Sequence, residues 1–233
     1  MTDKPSSSHS AELALSQLGA LRDQIDEIDN ALLTLLAKRQ DLSRLIVTKK
    51  ALGSNVFRPD REVSLLRNLV ANHPHIDARL IMGLWRHIIS ASIAEQKPDY
   101  TIAHSPNAAH LADKHGAGYM RLALQTDVKA GIAALRDGQA DCVIVTDAEM
   151  AAYSDVLVPD DVVIAASIGF LVQEGQERGY ILCRDLPLAS GDDVTVVRSR
   201  DGTLSHHAQG DDFAGAMSEG QIVGRYAKPL HVL

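Results

Sequence analysis

The sequence predicts a multidomain chain: an all-helical part over residues 12–98 with one very long helix, then a small α/β part over residues 99–233. Three observations carry this reading. Leu18, Leu21, Ile25, Ile28, Leu32, Leu35, Leu36, Leu42 and Ile46 recur at helical spacing, with no Pro and no Gly between Gly19 and Gly53. Lys97-Pro98 then punctuates the chain. From Thr101 the helical period gives way to short apolar runs alternating with helical segments, the pattern of an α/β domain with a partly parallel sheet.

Taken in order, Met1 to Ala11 is polar and Ser-rich and reads as a disordered leader, with Ser8, Ser10 and Ser16 as alternative caps for the first helix. A helix of roughly 35 residues is about 50 Å long, more than one small domain covers, so part of it requires a partner helix, for which a second copy of the chain is the natural source. After Gly53-Ser54-Asn55, Arg58-Pro59-Asp60-Arg61-Glu62 opens a second helix, with Pro in the first turn and acids at its positive end. It stops near Asn72-His73-Pro74. Asp77 caps a third helix, whose Leu80, Ile81, Leu84, Trp85, Ile88, Ile89 and Ile93 face a core. Beyond the boundary, strands are expected at 101–103, 121–124, 141–145, 162–166, 169–172, 179–183 and 194–197. A helix is expected from Val128 to Leu135, ending at Asp137-Gly138. Residues 208–233 are Gly-rich and weakly periodic and receive no assignment.

Composition excludes several classes of function. Residues 1–98 hold 13 Lys and Arg against 11 Asp and Glu, the remainder 10 against 19, so neither part has the basic excess of a nucleic-acid binder, and the acidic second part disfavours an anionic surface. No run approaches membrane-spanning length, and no signal peptide precedes the first helix, which points to a cytoplasmic protein. Cys142 and Cys183 lie in apolar runs and read as buried free thiols. His104, His110, His115, His206 and His207 lack site-like spacing with other ligands and read as surface or capping residues, so no metal is expected. Gly116-Ala117-Gly118 reads as a turn, and Asp155, Asp160 and Asp161 as a solvated edge.

Several polar residues admit two readings. Arg39 and Lys50 lie about 20° apart on the helical wheel and about 16 Å along the axis, so they either lean toward one small ligand or belong to a solvated face. Arg22 is about 25 Å from Arg39 and about 100° off its direction, so it cannot share their site within one straight helix, whereas an antiparallel partner helix can return it there. Arg61 and Glu62 are solvated first-turn residues or site residues. Ser92 and Gln96, four apart, are a back-bonded serine and a surface amide or two members of a site.

The blocks Leu21-Arg22-Asp23-Gln24-Ile25-Asp26-Glu27-Ile28-Asp29, Leu35-Leu36-Ala37-Lys38-Arg39, Lys50, Phe57-Arg58-Pro59-Asp60-Arg61-Glu62 and Ile89-Ser90-Ala91-Ser92-Ile93-Ala94-Glu95-Gln96 resemble the all-helical chorismate mutases, particularly the domain fused to bacterial prephenate dehydratases. The resemblance covers about residues 18–97 and implies an intertwined homodimer with each site shared between subunits. It implies the rearrangement of chorismate to prephenate, a pericyclic step needing neither nucleophile nor cofactor. By that resemblance Arg39 clamps one substrate carboxylate and Arg22 of the partner subunit the other. Lys50 reaches a carboxylate and the ether oxygen, and Gln96 donates the second hydrogen bond to that oxygen. Glu62 accepts from the ring hydroxyl, Ser92 assists carboxylate binding and Arg61 shapes that end. Arg58 stands where some members carry an aspartate near the hydroxyl.

The second part resembles a reduced prephenate dehydratase domain at Thr101-Ile102-Ala103-His104-Ser105-Pro106 with Ala109-His110-Leu111-Ala112, and at Ile132 to Val145. Gly191-Asp192-Asp193-Val194-Thr195 is similar to another segment. The catalytic blocks differ. No Gly-Thr-Phe-Ser-like block occurs at 106–110, Val145-Thr146-Asp147-Ala148-Glu149 replaces a Pro-Ile-Glu-Asn-Ser-like block, and Arg178-Gly179-Tyr180 stands in place of a Thr-Arg-Phe-like one. The leading expectation is a chorismate mutase with a diverged second domain that supports the fold or dimer, or binds a small-molecule effector or partner. The alternatives are a bifunctional mutase and prephenate dehydratase, an isochorismate-pyruvate lyase, and a non-catalytic helical binding or regulatory module.

Overall fold

A computed structural model describes residues 7–49, 55–152, 161–172, 177–208 and 220–231. The chain divides into two compact units, Met1–Leu52 and Gly53–Leu233.

The first unit is the helix α1, Ser7–Lys49, 43 residues and so about 65 Å long. It begins before the expected caps, and Ser8, Ser10 and Ser16 all lie within it. The reason is local: after Pro5 no helix breaker precedes Gly53 except Gly19, which a long helix absorbs at a cost of about 1 kcal/mol. Its apolar row from Leu18 to Ile46 stands 43–62% exposed at eight positions, Leu36 being half-buried.

The second unit opens with α2, Pro59–Asn72, and α3, Ala78–Gln96. Pro59 occupies the first turn of α2 with Asp60 and Glu62, as the sequence indicates. Asp77 caps α3 by accepting from the Arg79 amide at 2.8 Å. The expected core face of α3 is only partly buried. Ile81 and Ile93 are covered, whereas Leu80 and Leu84 are exposed, because the buried side of α3 runs through Ile81, Ser90 and Ile93.

Next come β1 (Thr101–His104), α4 (Ala109–Gly116), β2 (Arg121–Leu124), α5 (Val128–Arg136), β3 (Cys142–Thr146) and α6 (Asp147–Ala152). β4 (Val163–Ile168), β5 (Leu171–Val172), β6 (Gly179–Cys183), β7 (Asp193–Ser199), β8 (Leu204–Ala208), β9 (Gly220–Ala227) and β10 (Leu230–His231) complete the unit. Eight strands form one sheet in the order β2-β1-β3-β6-β4-β9-β7-β8, and β5 pairs with β10 separately. β2, β1 and β3 are parallel, as strands joined through the crossover helices α4 and α5 must be. The β3–β6, β6–β4, β9–β7 and β7–β8 pairs are antiparallel. The sheet is therefore mixed, in agreement with the partly parallel expectation, and β8 and β9 add strands to it that the sequence left unassigned.

Alternate residues of β3 enter opposite cores. Val143 and Val145 join α5's Val128, Ile132 and Leu135 on one face. Cys142 and Ile144 join Leu111, Phe57 and Ile93 on the other. Thus α3, counted with the helical part from sequence, packs in this chain against the sheet. Arg67 ties α2 to the same unit: its guanidinium donates to Ser190 Oγ at 2.9 Å and lies 5.6 Å over the Phe170 ring.

Cys142 and Cys183 are free and buried in β3 and β6, as expected. Burial pushes the Cys142 thiol up to about 12 and the Cys183 thiol well above the usual range. The folded chain should therefore bind no thiol reagent such as dithiobis-nitrobenzoate at pH 8 and two equivalents after denaturation. Rapid reaction of the native protein would refute this burial.

Candidate functional site

On α1, Arg22 is exposed and Arg39 half-buried. One uninterrupted helix separates them by about 25 Å, so they do not meet within a single copy. Lys50 lies outside the described residues. In the second unit Arg58 precedes α2 and its guanidinium forks onto Asp60, with Nε–Oδ1 3.1 Å and Nη2–Oδ2 2.8 Å. Arg61 is exposed in the first turn of α2. Ser92 is buried, and its hydroxyl donates to the Ile88 carbonyl at 2.9 Å, the back-bond that helical serines commonly make. Gln96 is half-buried at the last position of α3.

Glu62 sits in more elaborate surroundings. Its carboxylate accepts from Arg86 Nη1 on α3 in a pair that is mostly covered. Arg86 Nε donates to Ser90 Oγ at 3.1 Å, and Ser90 Oγ donates to the His115 carbonyl at 3.0 Å. This chain of bonds links α2, α3 and the last turn of α4 beside a cleft of about 400 Å³. Phe57, Leu66, Met82, Phe170 and Ile181 supply apolar wall, with Lys114 and the Asp77-paired Arg79 as its cationic lining. Among the described residues of the second unit that are expected in a mutase site, Glu62 alone lines this cleft.

His115 corrects the surface reading of the histidines: it is 7% exposed, with its ring edge-on to Phe57 at 5.9 Å. Burial, and next the neighbouring Arg86 guanidinium, hold its imidazole well below the usual range, so it is neutral at pH 7. His104 is also buried, its Nδ1 2.9 Å from the Ser105 carbonyl. His206, in β8, meets the Tyr226 hydroxyl at 3.1 Å. The spacing of these histidines carries no burial signal, because each is covered by elements distant in sequence. Arg86 and Ser90 were missed for a related reason. Their i,i+4 spacing was legible, yet only the covering elements turn that face into a polar seam.

A second polar cluster occupies the C-terminal ends of β1 and β3. Thr146-Asp147-Ala148-Glu149 forms a capping box, with Glu149 Oε2 accepting from the Thr146 amide at 3.0 Å and Thr146 Oγ1 accepting from the Glu149 amide at 3.1 Å. Glu149 Oε1 accepts from Ser105 Oγ and Asn107 Nδ2. Every oxygen of this buried carboxylate is engaged locally, so the residues replacing a dehydratase-like block hold α6 and the 105–108 turn in place. Of the expected acidic edge, Asp155 and Asp160 lie outside the described residues, and Asp161 is paired with Arg136. Among the described residues no group of three or more His, Cys, Asp and Glu could hold a metal, and no helix is long and apolar enough to cross a membrane.

Residues 21–97, which hold most of α1 together with α2 and α3, match the family Chorismate mutase type II. Among curated proteins the chain is similar to the T-protein of Enterobacter agglomerans, 47% identical over 85 residues, 35% of this chain and 23% of that protein. The chain thus spans about a quarter of that relative's length. Two solved structures also align. "GqqA- a novel type of quorum quenching acylases" shares 16% identity over 55% of this chain and 94% of its own, with a TM-score of 0.38. Prephenate dehydratase from Streptococcus mutans shares 12% over 57% of this chain and 100% of its own, with a TM-score of 0.39. At these scores neither alignment bears on function.

Proposed function

We propose that this protein converts chorismate to prephenate. The family match over 21–97 carries the reading, and Arg22, Arg39, Lys50, Glu62 and Gln96 are the residues assigned to the chemistry. The substrate is a dianion whose ether C–O bond breaks as a new C–C bond forms within the same molecule. Catalysis must hold both carboxylates in the compact conformer and meet negative charge growing on the ether oxygen. Arginines suit the clamp because their forked guanidinium is charged at every working pH. Lys50 and Gln96 are assigned to the ether oxygen, and a glutamine donates there without first being protonated. Ser92 and Arg61 assist binding, and Arg58 shares its guanidinium with Asp60 at the hydroxyl end.

The protein acts as a homodimer in this reading. The separation of Arg22 and Arg39 along one helix supports a site shared between copies, and the exposed apolar row of α1 supports a partner helix that covers it. Free buried thiols fit the reducing conditions of a cytoplasm.

A second reading has at least equal support: a bifunctional mutase and prephenate dehydratase. A matched mutase segment followed by an α/β unit is the architecture such a fusion would have, and the 101–112 resemblance falls on β1 and α4. Against it stands the capping role of Glu149. A product-resolved NMR assay with chorismate separates the two. Accumulation of prephenate is expected for the mutase alone, and phenylpyruvate would establish the bifunctional enzyme. No turnover by folded dimer would refute both and direct the assay to isochorismate.

A further inference from the structure

A glutamate in the first turn of a helix ordinarily turns its carboxylate to water. Glu62 does not: its side chain is 15% exposed, and Arg86, 18% exposed, pairs with it from α3. The pair uses one oxygen only. Arg86 Nη1 donates to Glu62 Oε1, and no described residue donates to Oε2. Arg86 is itself fixed at a second nitrogen, since Nε donates to Ser90 Oγ at 3.1 Å. The guanidinium is planar, so two anchored nitrogens set its plane and with it the place of Oε1. Ser90 is fully buried and donates in turn to the His115 carbonyl at 3.0 Å. That carbonyl lies in the last turn of α4, where the Tyr119 amide goes to Gly116 instead, so Ser90 supplies its hydrogen bond. The series therefore ends on α4, which packs with Ile102 of β1 through Leu111 and Ala112.

We propose that Arg86 is a positioning residue for the mutase reaction: it holds Glu62 by Oε1 with Oε2 left to accept from the ring hydroxyl of chorismate, and Ser90 anchors that hold on α4. The role rests on the mutase reading, in which Glu62 meets that hydroxyl, and adds to it a dependence on the α/β part of the chain. Without Arg86 a largely covered carboxylate is left unpaired, and its flexible stem lets it swing out to water, away from the substrate. Arg86 touches no reacting atom, so its loss should be felt only through Glu62.

Four full-length proteins test this in one cycle: wild type, Arg86→Met, Glu62→Ala and the double variant, each checked for folding by circular dichroism and assayed as kcat/KM for chorismate. R86M should lose at least about 10-fold, the size of one hydrogen bond to a charged acceptor. In the E62A background the same change should cost less than about 2-fold, because nothing remains to be positioned. Ser90→Ala should lose about 3-fold when Glu62 is present and nothing in the E62A background. This milder change carries the comparison if R86M unfolds the chain. A merely structural arginine would give equal losses in both backgrounds, and that result, or a fully active R86M, would overturn the proposal. Full activity of S90A would overturn the anchor on α4. A folded wild type that leaves chorismate unchanged refutes the mutase reading and this role with it, whereas an active wild type with additive losses refutes the role alone.

Discussion

Replacing Arg39 with alanine should lower chorismate turnover at least about 100-fold, the usual effect of removing one preorganised charge contact from a transition state, while helix content and dimerisation are retained. The side chain is half-buried on a helix whose apolar row is exposed, and its loss leaves intact that row, to which the proposed dimer is assigned. Arg22→Ala should have a similar effect for a different geometric reason. One straight helix keeps the two guanidinium groups about 25 Å apart, so in the proposed dimer each site takes Arg39 from one copy and Arg22 from the other. Mixing the two inactive proteins under conditions that exchange subunits should then restore about a quarter of wild-type activity, because the two-fold dimer made from one of each holds one intact site and one doubly altered site. Kinetics of the mixture after refolding together provide the measurement. A fully active R39A would reject the assignment of Arg39, and failure of the mixture to regain turnover would reject the shared site.

The elements that sequence revealed are those whose determinants are local. The long helix followed from apolar spacing uninterrupted between Gly19 and Gly53. The second and third helices followed from Pro59 and Asp77, and α5 from its apolar face with Asp137-Gly138 at its end. β1, β2, β3 and β6 were short apolar runs bounded by turns. What stayed hidden depends on partners far away in the chain. β9 is interrupted by Gly224, which weakens its pattern, yet a Cβ there would lie 2.5 Å from Ile164 Cβ, so the glycine is what lets β9 approach β4. β8 carries His206 and His207, whose polarity masks a strand held by antiparallel pairing with β7. The Arg86–Ser90–His115 seam was hidden likewise, since nothing near His115 announces that Phe57 will pack against its ring.

Gly179→Ala should destabilise the fold by about 3 kcal/mol or more, toward the upper end of what overpacking costs, since the obstacle is backbone. A Cβ at this position would lie 2.2 Å from the Val145 carbonyl oxygen and 2.8 Å from Leu111 Cδ1. Leu111 could turn aside, but Val145 and Thr146 are registered against Tyr180 and Gly179 in the β3–β6 pair, and moving that carbonyl breaks the ladder at the centre of the sheet. Gly83→Ala is the matching control: its Cβ meets nothing, it lies within α3, and it should gain about 0.5–1 kcal/mol from helix propensity. Urea unfolding of both variants measures the difference, and an undiminished midpoint for G179A would show that β3 and β6 are farther apart than described. The consequence reaches function. Gly179 occupies the middle of the segment standing in place of a Thr-Arg-Phe-like block, so a side chain restored there alone would meet the β3 backbone before any substrate. If the second unit has dehydratase activity, its polar groups must come from elsewhere on the sheet, since Glu149 is committed to its capping box and position 179 has no room for a side chain.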